Sequence, residues 1–434
     1  MALAPDASSA KAARSCTSPG KWVTKGQNDA AIWGEFQGSG KKPYQTQIDR
    51  AGPSFKCSCP SRKFPCKHGL GLLLVLAEKP ELVAEAEPPA WVSEWLEARA
   101  GRAEKKAEKA ADKKPVDPAQ QAKRLAAREK KIAAGLDELD VFLQDLVRSG
   151  LADVRSKPRD YFTTPAARLI DAQAAGLARR VGKLPEIASS GDDWQAKLLA
   201  EIGRIHLLAQ AYRRQDQLPE DACADVRSHI GWTVGKDELA ALSPVPGTWV
   251  VAAEELEEEG HLKTLRTWLI EKNLSQVAMI LSFGAAGSMP ERPFAPGSEC
   301  EASLVFYPSA APLRAAVHEV GECDFARELP GKRMEAALAD HAAAVAVAPW
   351  LEDFPMALTN VVPMRRAGGW WLLDEAAGRA LPMRTRHGRA WQMLAVSGGQ
   401  SCSLFGLWDG DKFDPLACAA DGQMLPLQTG PFAA

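Results

Sequence analysis

Four residues between positions 57 and 68 stand out chemically: Cys57, Cys59, Cys66 and His68. Three of the chain's nine cysteines fall in this one segment, and the histidine follows the third cysteine by two positions. Three thiolates and one imidazole form a tetrahedral donor set suited to one structural Zn2+. With all four positions filled by the protein, no site is left open for water, so such a metal would build structure and would not activate a nucleophile. Unmetallated thiols are the plain alternative. An iron–sulfur cluster draws on four cysteines, where this segment offers three.

The surrounding charge suits that set. Zinc with three thiolates and a neutral imidazole carries a net charge of −1, and Lys56, Arg62, Lys63 and Lys67 lie within or beside the segment. Such cations favour thiolates. Residues 41–68 hold seven Lys and Arg against one acid, Asp49. Lys41, Lys42, Lys56, Arg62, Lys63 and Lys67 are therefore candidates for contact with DNA or RNA, with Tyr44, Phe55 and Phe64 interleaved as candidate stacking rings. The alternative is a solvated basic face that offsets the metal site's charge while the rings fill a small core.

The elements that must hold these residues are legible on both sides. Residues 20–56 read as two or three short strands broken by Gly26, Gly34, Gly38 and Gly40. Pro60 and Pro65 forbid regular helix between the two ligand pairs. Leu70, Leu73, Leu74 and Ala77 then recur at helical spacing, and Pro80 closes that helix. A unit of this size (20–85) buries little apolar surface, and metal binding is a physical route to its stability.

This pattern, Cys-x-Cys, six residues, then Cys-x-His after small strands and before a helix, resembles the SWIM zinc finger. The resemblance covers about residues 43–80. It implies that Cys57, Cys59, Cys66 and His68 ligate one zinc and that the finger docks on DNA or on protein. The rest of the chain is similar to bacterial stand-alone SWIM proteins. That likeness implies a protein partner such as a MoxR-type AAA+ ATPase.

Beyond the finger, charge splits the chain. Residues 1–135 carry 24 Lys and Arg against 15 Asp and Glu, and the remainder carries 29 against 40. Affinity for polyanions therefore belongs to the first third. Residues 99–131 are dominated by Ala, Glu, Lys and Arg and read as a charged linker or an exposed helix. Residues 132–235 read as a helical bundle. One stripe is Ile132, Leu136, Leu139, Leu143, Leu146 and Val147, and a second helix carries Leu169, Ile170 and Leu177. A third carries Trp194, Leu198, Leu199, Ile202, Ile205 and Leu208, with Asp192 and Asp193 as its cap.

Residues 245–434 are β-rich, with strands expected at 248–251, 265–270, 277–283, 304–307, 370–373, 390–396 and 402–408 and one helix over 333–347. The fold class is α+β multidomain: a small zinc-stabilised ββα-like finger, a helical bundle and a β-rich C-terminal domain.

Composition excludes several function classes. With 46% hydrophobic and 25% charged residues, the chain can build globular cores, which rules out global disorder. The longest apolar run, Leu70 to Ala77, is far short of a membrane span, and no secretory h-region opens the chain. A cytoplasmic protein with reduced thiols and no membrane contact is expected. No phosphate loop, second metal set or nucleophile–base pair is evident; Asp409-Gly410 reads as a hairpin turn, Glu254 to Glu259 as a solvated surface. The leading function is a zinc-binding docking module on a scaffold. An accessory subunit of an AAA+ ATPase system is the alternative, and an enzyme with its site in the β-rich domain a further one.

Overall fold

The computed structural model describes residues 7–38, 40, 42–50, 54–61, 65–111, 117–191, 193–259, 262–273, 276–284, 289–366, 368–384 and 388–427. The chain forms two compact units, one of Met1–Asp117 with Glu258–Lys263 and Phe283–Glu291, the other of the remaining residues.

The first unit opens with helix α1 (Ala7–Arg14) and an antiparallel meander of β1 (Trp22–Gln27), β2 (Ala31–Phe36), β3 (Tyr44–Asp49) and β4 (Ser54–Cys57). Helix α2 (Lys67–Glu78) follows, then β5 (Ala84–Glu85), which pairs parallel to β1, and α3 (Ala90–Ala111). Trp22, Ile32, Phe36, Ile48 and Phe55 from the sheet pack against Leu72 and Val75 of α2. Ala31 and Trp33 pack instead with Val92 at the start of α3. Trp33 and Ile32 are neighbours on one strand, so their side chains leave opposite faces, and each face is covered by its own helix. The finger is thus larger than a ββα unit. Arg99, at the start of the charged stretch, donates to Asp49 at 2.9 Å. The stretch itself is helical through α3 and resumes as helix at Pro118.

Helices dominate the first half of the second unit: α4 (Pro118–Arg148), α5 (Asp160–Asp171), α6 (Ala175–Ala188), α7 (Trp194–Arg213), α8 (Glu220–Ile230) and α9 (Lys236–Ala240). Ile132, Leu136, Leu139, Leu143 and Leu146 are buried together with Leu177, Val181, Leu184, Leu198, Ile202 and Ile205. Three residues expected in those stripes point outward: Val147, Ile170 and Leu199 are 48%, 60% and 52% exposed. They sit one position off the 3–4 spacing of their buried neighbours. Leu169 and Leu177 do not share a helix, because Gln173 takes φ 64° and separates α5 from α6. Asp193 occupies the start of α7 without a side-chain capping bond, and Asp192 lies outside the described residues.

The β-structure forms a closed barrel and a six-stranded sheet. The barrel comprises β6 (Val245–Glu259), β7 (Leu262–Glu271), β8 (Val277–Gly284), β9 (Ser298–Phe306) and β10 (Arg314–Phe325). After helix α10 (Met334–Val347) come β11 (Phe354–Arg366), β12 (Gly369–Asp374), β13 (Arg379–Pro382), helix α11 (Arg389–Ser397), β14 (Cys402–Trp408), β15 (Phe413–Ala420) and β16 (Gln423–Pro426). The sheet order is β13-β12-β11-β14-β15-β16.

The segment 390–396 is helix where a strand is expected from its apolar run. Gly388 and Gly398, both left-handed at φ 73° and 59°, bound that helix, and Ala390, Met393 and Ser397 form its buried face. Asp409-Gly410 does turn the β14–β15 hairpin, with the Asp409 carboxylate accepting the amides of Asp411 and Lys412 at 2.9 and 2.7 Å. The acidic run on β6 is only partly solvated: Glu254 is half-buried beside Thr267 and Arg292, and desolvation pushes its carboxyl up.

The expectation of uniformly reduced thiols is also corrected. Antiparallel register sets Cys300 on β9 opposite Cys323 on β10, with Cα atoms 4.1 Å apart, and the two form a disulfide. The other seven cysteines are free.

Candidate metal centre

Strand β4 ends on Cys57, which faces Thr46 across the ladder to β3. The ladder continues one step beyond the strand. The Ser58 amide donates to the Gln45 carbonyl at 3.0 Å, and the Ser58 hydroxyl accepts the Gln45 amide at 2.9 Å. This pins the Cys57–Cys59 pair to the sheet. The second pair belongs to α2. Cys66 stands at its N-cap in extended conformation, its carbonyl accepting the Leu70 amide at 3.1 Å, and His68 lies on the first turn. Cys66 and His68 are 6% and 4% exposed, whereas Cys57 and Cys59 are half-buried.

Two glycines let α2 come close enough to bring these pairs together. A Cβ on Gly69 would stand 2.9 Å from the Phe55 ring, and one on Gly71 would stand 2.6 Å from Cys16 Cβ. Glycine costs a helix interior about 1 kcal/mol each relative to alanine, and close packing on the sheet and on α1 offsets it. The His68 ring is held between Phe36 and Tyr44, with centroids 4.6 and 5.1 Å away.

The four ligand atoms of Cys57, Cys59, Cys66 and His68 lie within 4.8 Å of one another. Zinc–sulfur and zinc–nitrogen bonds of about 2.3 and 2.0 Å set ligand–ligand edges of roughly 3.5–3.8 Å in a tetrahedron. The Cys57 Sγ to His68 Nδ1 edge is already 3.8 Å. The donor chemistry and spacing therefore fit one structural zinc ion with only a small contraction of the longer edges.

Electrostatics within the set divide the three thiols, favouring the thiolate at Cys66 alone. Cys66 is pushed down to about 4, first by a hydrogen bond from the Cys57 thiol and further by His68 and the Gly69 amide at the helix start, against the effect of burial. The same shared proton pushes Cys57 up, and burial pushes Cys59 up. A divalent cation would remove the remaining protons. Thr46 Oγ1 lies 3.2 Å from Cys57 Sγ, placed to donate to that sulfur and orient it, as outer-shell groups do around metal ligands.

Two family models match the chain. The SWIM zinc finger matches residues 56–77, and the SWIM-associated four-helix bundle domain matches residues 127–230. Over these two stretches the chain carries a SWIM zinc finger and its associated helical bundle. The first match spans all four ligands of the SWIM finger, and the second runs from within α4 to the end of α8. No curated protein and no solved structure matches it.

The basic residues are distributed less tidily. Lys42, Lys56 and Lys67 are exposed on the finger, and Lys41, Arg62 and Lys63 lie outside the described residues, as does Phe64. Phe55 is 7% exposed, and Tyr44 packs against the finger core and His68. Phe55 is thus core, and Tyr44 is committed on one face to the ligand His68, so neither ring stands out as a free stacking platform. Sequence reasoning does not find Thr46, Phe36 or the two glycines of α2. Only the Gly-x-Gly spacing directly after His68 hints at a close approach there.

Proposed function

We propose that this SWIM-domain protein is a non-catalytic docking scaffold whose zinc finger is the recognition element. The observation that carries this reading is the ligand set itself: four protein ligands surround one small volume, so a bound zinc has no position for a substrate or water. The metal would hold β4 to α2, and the surface so fixed presents Lys42, Lys56 and Lys67 to a partner. Because Tyr44 and Phe55 are used internally, contact with DNA or RNA would rest on charge and lack sequence preference. A protein partner with an acidic face, such as an AAA+ ATPase, would meet the same lysines. The cytoplasm is the compartment we assign, where the three ligand thiols among the seven free ones stay reduced; the Cys300–Cys323 disulfide would be the exception there.

The test is binding of the intact zinc-loaded protein to duplex and single-stranded DNA across a salt series. Weak binding whose logarithm falls by ~0.7–0.9 per phosphate neutralised, and which Lys56→Glu with Lys67→Glu weakens at unchanged zinc content, supports nucleic-acid docking. Absence of binding at low salt moves the finger to protein docking. Affinity purification with and without nuclease then separates direct from bridged partners. Turnover of any substrate by the metal-loaded protein would overturn the reading.

A further inference from the structure

The arginines of the six-stranded sheet and its helices are mostly paired with carboxylates. Arg333 pairs with Asp374, Arg384 with Asp409, Arg389 with Asp414 and Arg379 with Glu335. Arg365 and Arg366 differ. Both are exposed at the end of β11, opposite Trp370 and Gly369 in the β12 ladder, and among the described residues neither has a carboxylate partner. The chain reverses beside them through Gly368 and Gly369, both at positive φ (95° and 149°).

Two tryptophans meet at this hairpin tip. Trp391, at the start of α11, is 57% exposed and stands edge-on to Trp370 with centroids 5.2 Å apart and planes at 84°. The Arg365 guanidinium lies 5.8 Å from the Trp391 ring. Four other tryptophans of the β-rich region and its approaches, Trp249, Trp268, Trp350 and Trp408, are at most 6% exposed. An indole more than half in water, buttressed by a second indole and flanked by the Arg365 guanidinium, has the composition of an interface hot spot. It does not need to be there for the core. Arg366, the next residue on β11, adds its charge at the same strand end from the other face.

We infer that Trp370, Trp391 and Arg365, with Arg366 adding positive charge at the same strand end, form a second, zinc-independent docking surface for a short acidic peptide segment of a protein partner, an apolar side chain lying on the indoles and a flanking carboxylate on Arg365. Charge decides the class of occupant. The two arginines give the tip a local positive charge, while the chain beyond residue 135 carries 29 Lys and Arg against 40 Asp and Glu. A long polyphosphate would be repelled by that body, whereas a peptide with one or two acids meets only the tip.

The experiment selects random linear peptides displayed on phage against the intact protein. The enriched sequences are then synthesised, once as found and once with Asp and Glu changed to Asn and Gln. The expected result is enrichment of an aliphatic or aromatic residue beside acids. Affinity should fall about tenfold or more in Trp391→Ala and, separately, in Arg365→Glu/Arg366→Glu, and with the amide-substituted peptide. Cys66→Ala should bind as the parent does. The two variants change exposed side chains, and unchanged circular dichroism of the double-arginine variant keeps the test valid if Trp391→Ala proves unstable. Enriched peptides without acidic bias, or binding equal in parent and both variants, overturn the proposal. So does a single-stranded oligonucleotide that binds the parent tightly and is lost in the same variants, which would make the surface one for nucleic acid.

Discussion

Arg180 on α6 donates to the carbonyl of Trp350, 170 positions further along the chain, at 2.8 Å. The same guanidinium pairs with Glu201 on α7 and with Glu352, each at 2.8 Å, and both Arg180 and Glu201 are buried. Trp350 and Ala348 belong to the helical core although they lie between α10 and β11. The bundle and the β-structure should therefore unfold together. A single urea transition, coincident by circular dichroism and tryptophan fluorescence, is the expected result. Arg180→Met should leave Glu201 buried without its main partner and lower stability by about 3–5 kcal/mol.

Helices α6 and α8 touch backbone to backbone. A Cβ on Gly176 would stand 2.0 Å from the His229 carbonyl oxygen, which cannot move without moving α8. Gly176→Ala should destabilise by about 2 kcal/mol or more. Gly182, on the same helix, has open space where a Cβ would stand, with no neighbouring atom within 4 Å, and Gly182→Ala should stabilise by roughly 0.5–1 kcal/mol. Denaturation midpoints of the two variants should move in opposite directions.

His229 lies against Trp350, and burial, aided by Arg180, pushes its imidazole down to about 4. An unfolded chain protonates the same ring below about 6.5, so between those values the unfolded state binds the extra proton. Stability from this group is complete above pH 6.5 and is lost as pH falls toward 4, by about 3 kcal/mol in all. Glu254 and Asp353, whose carboxyls are pushed up by desolvation, act with the opposite sign. The measurement is therefore a difference: His229→Gln should show a flatter loss of stability than the parent between pH 6.5 and 4.

Zinc should be present at about one per chain, as one four-ligand set implies. Cys66→Ala or His68→Ala should abolish it, and a chelator should do the same to the parent. Elemental analysis gives the content, and limited proteolysis the consequence. Cleavage should appear within residues 20–85, while the bundle and β-structure stay resistant, because none of their core residues comes from the finger.

The metal set and the bundle can be read from the sequence because each is a local pattern. Cys57 to His68 is a spacing, and Ile132 to Leu146 is a period. What stays hidden depends on neighbours distant in sequence. The apolar run of 390–396 fits strand or helix equally well, and only the flanking glycines at 388 and 398 mark the helix. Cys300 and Cys323 have no recognisable spacing, since their pairing is set by the β9–β10 register. Glu254 resembles the glutamates that follow it, yet only its side chain turns under Arg292. Trp391 is indistinguishable in sequence from its seven C-terminal counterparts, because the fold alone decides which indoles the cores take.

The disulfide between Cys300 and Cys323 spans the connection from β9 to β10. A protease that cuts between Phe306 and Arg314 would therefore leave one covalent molecule. Its two pieces would migrate together on a gel until a reductant is added, so the state of that bond in the cell could be read from a nicked sample without opening the fold.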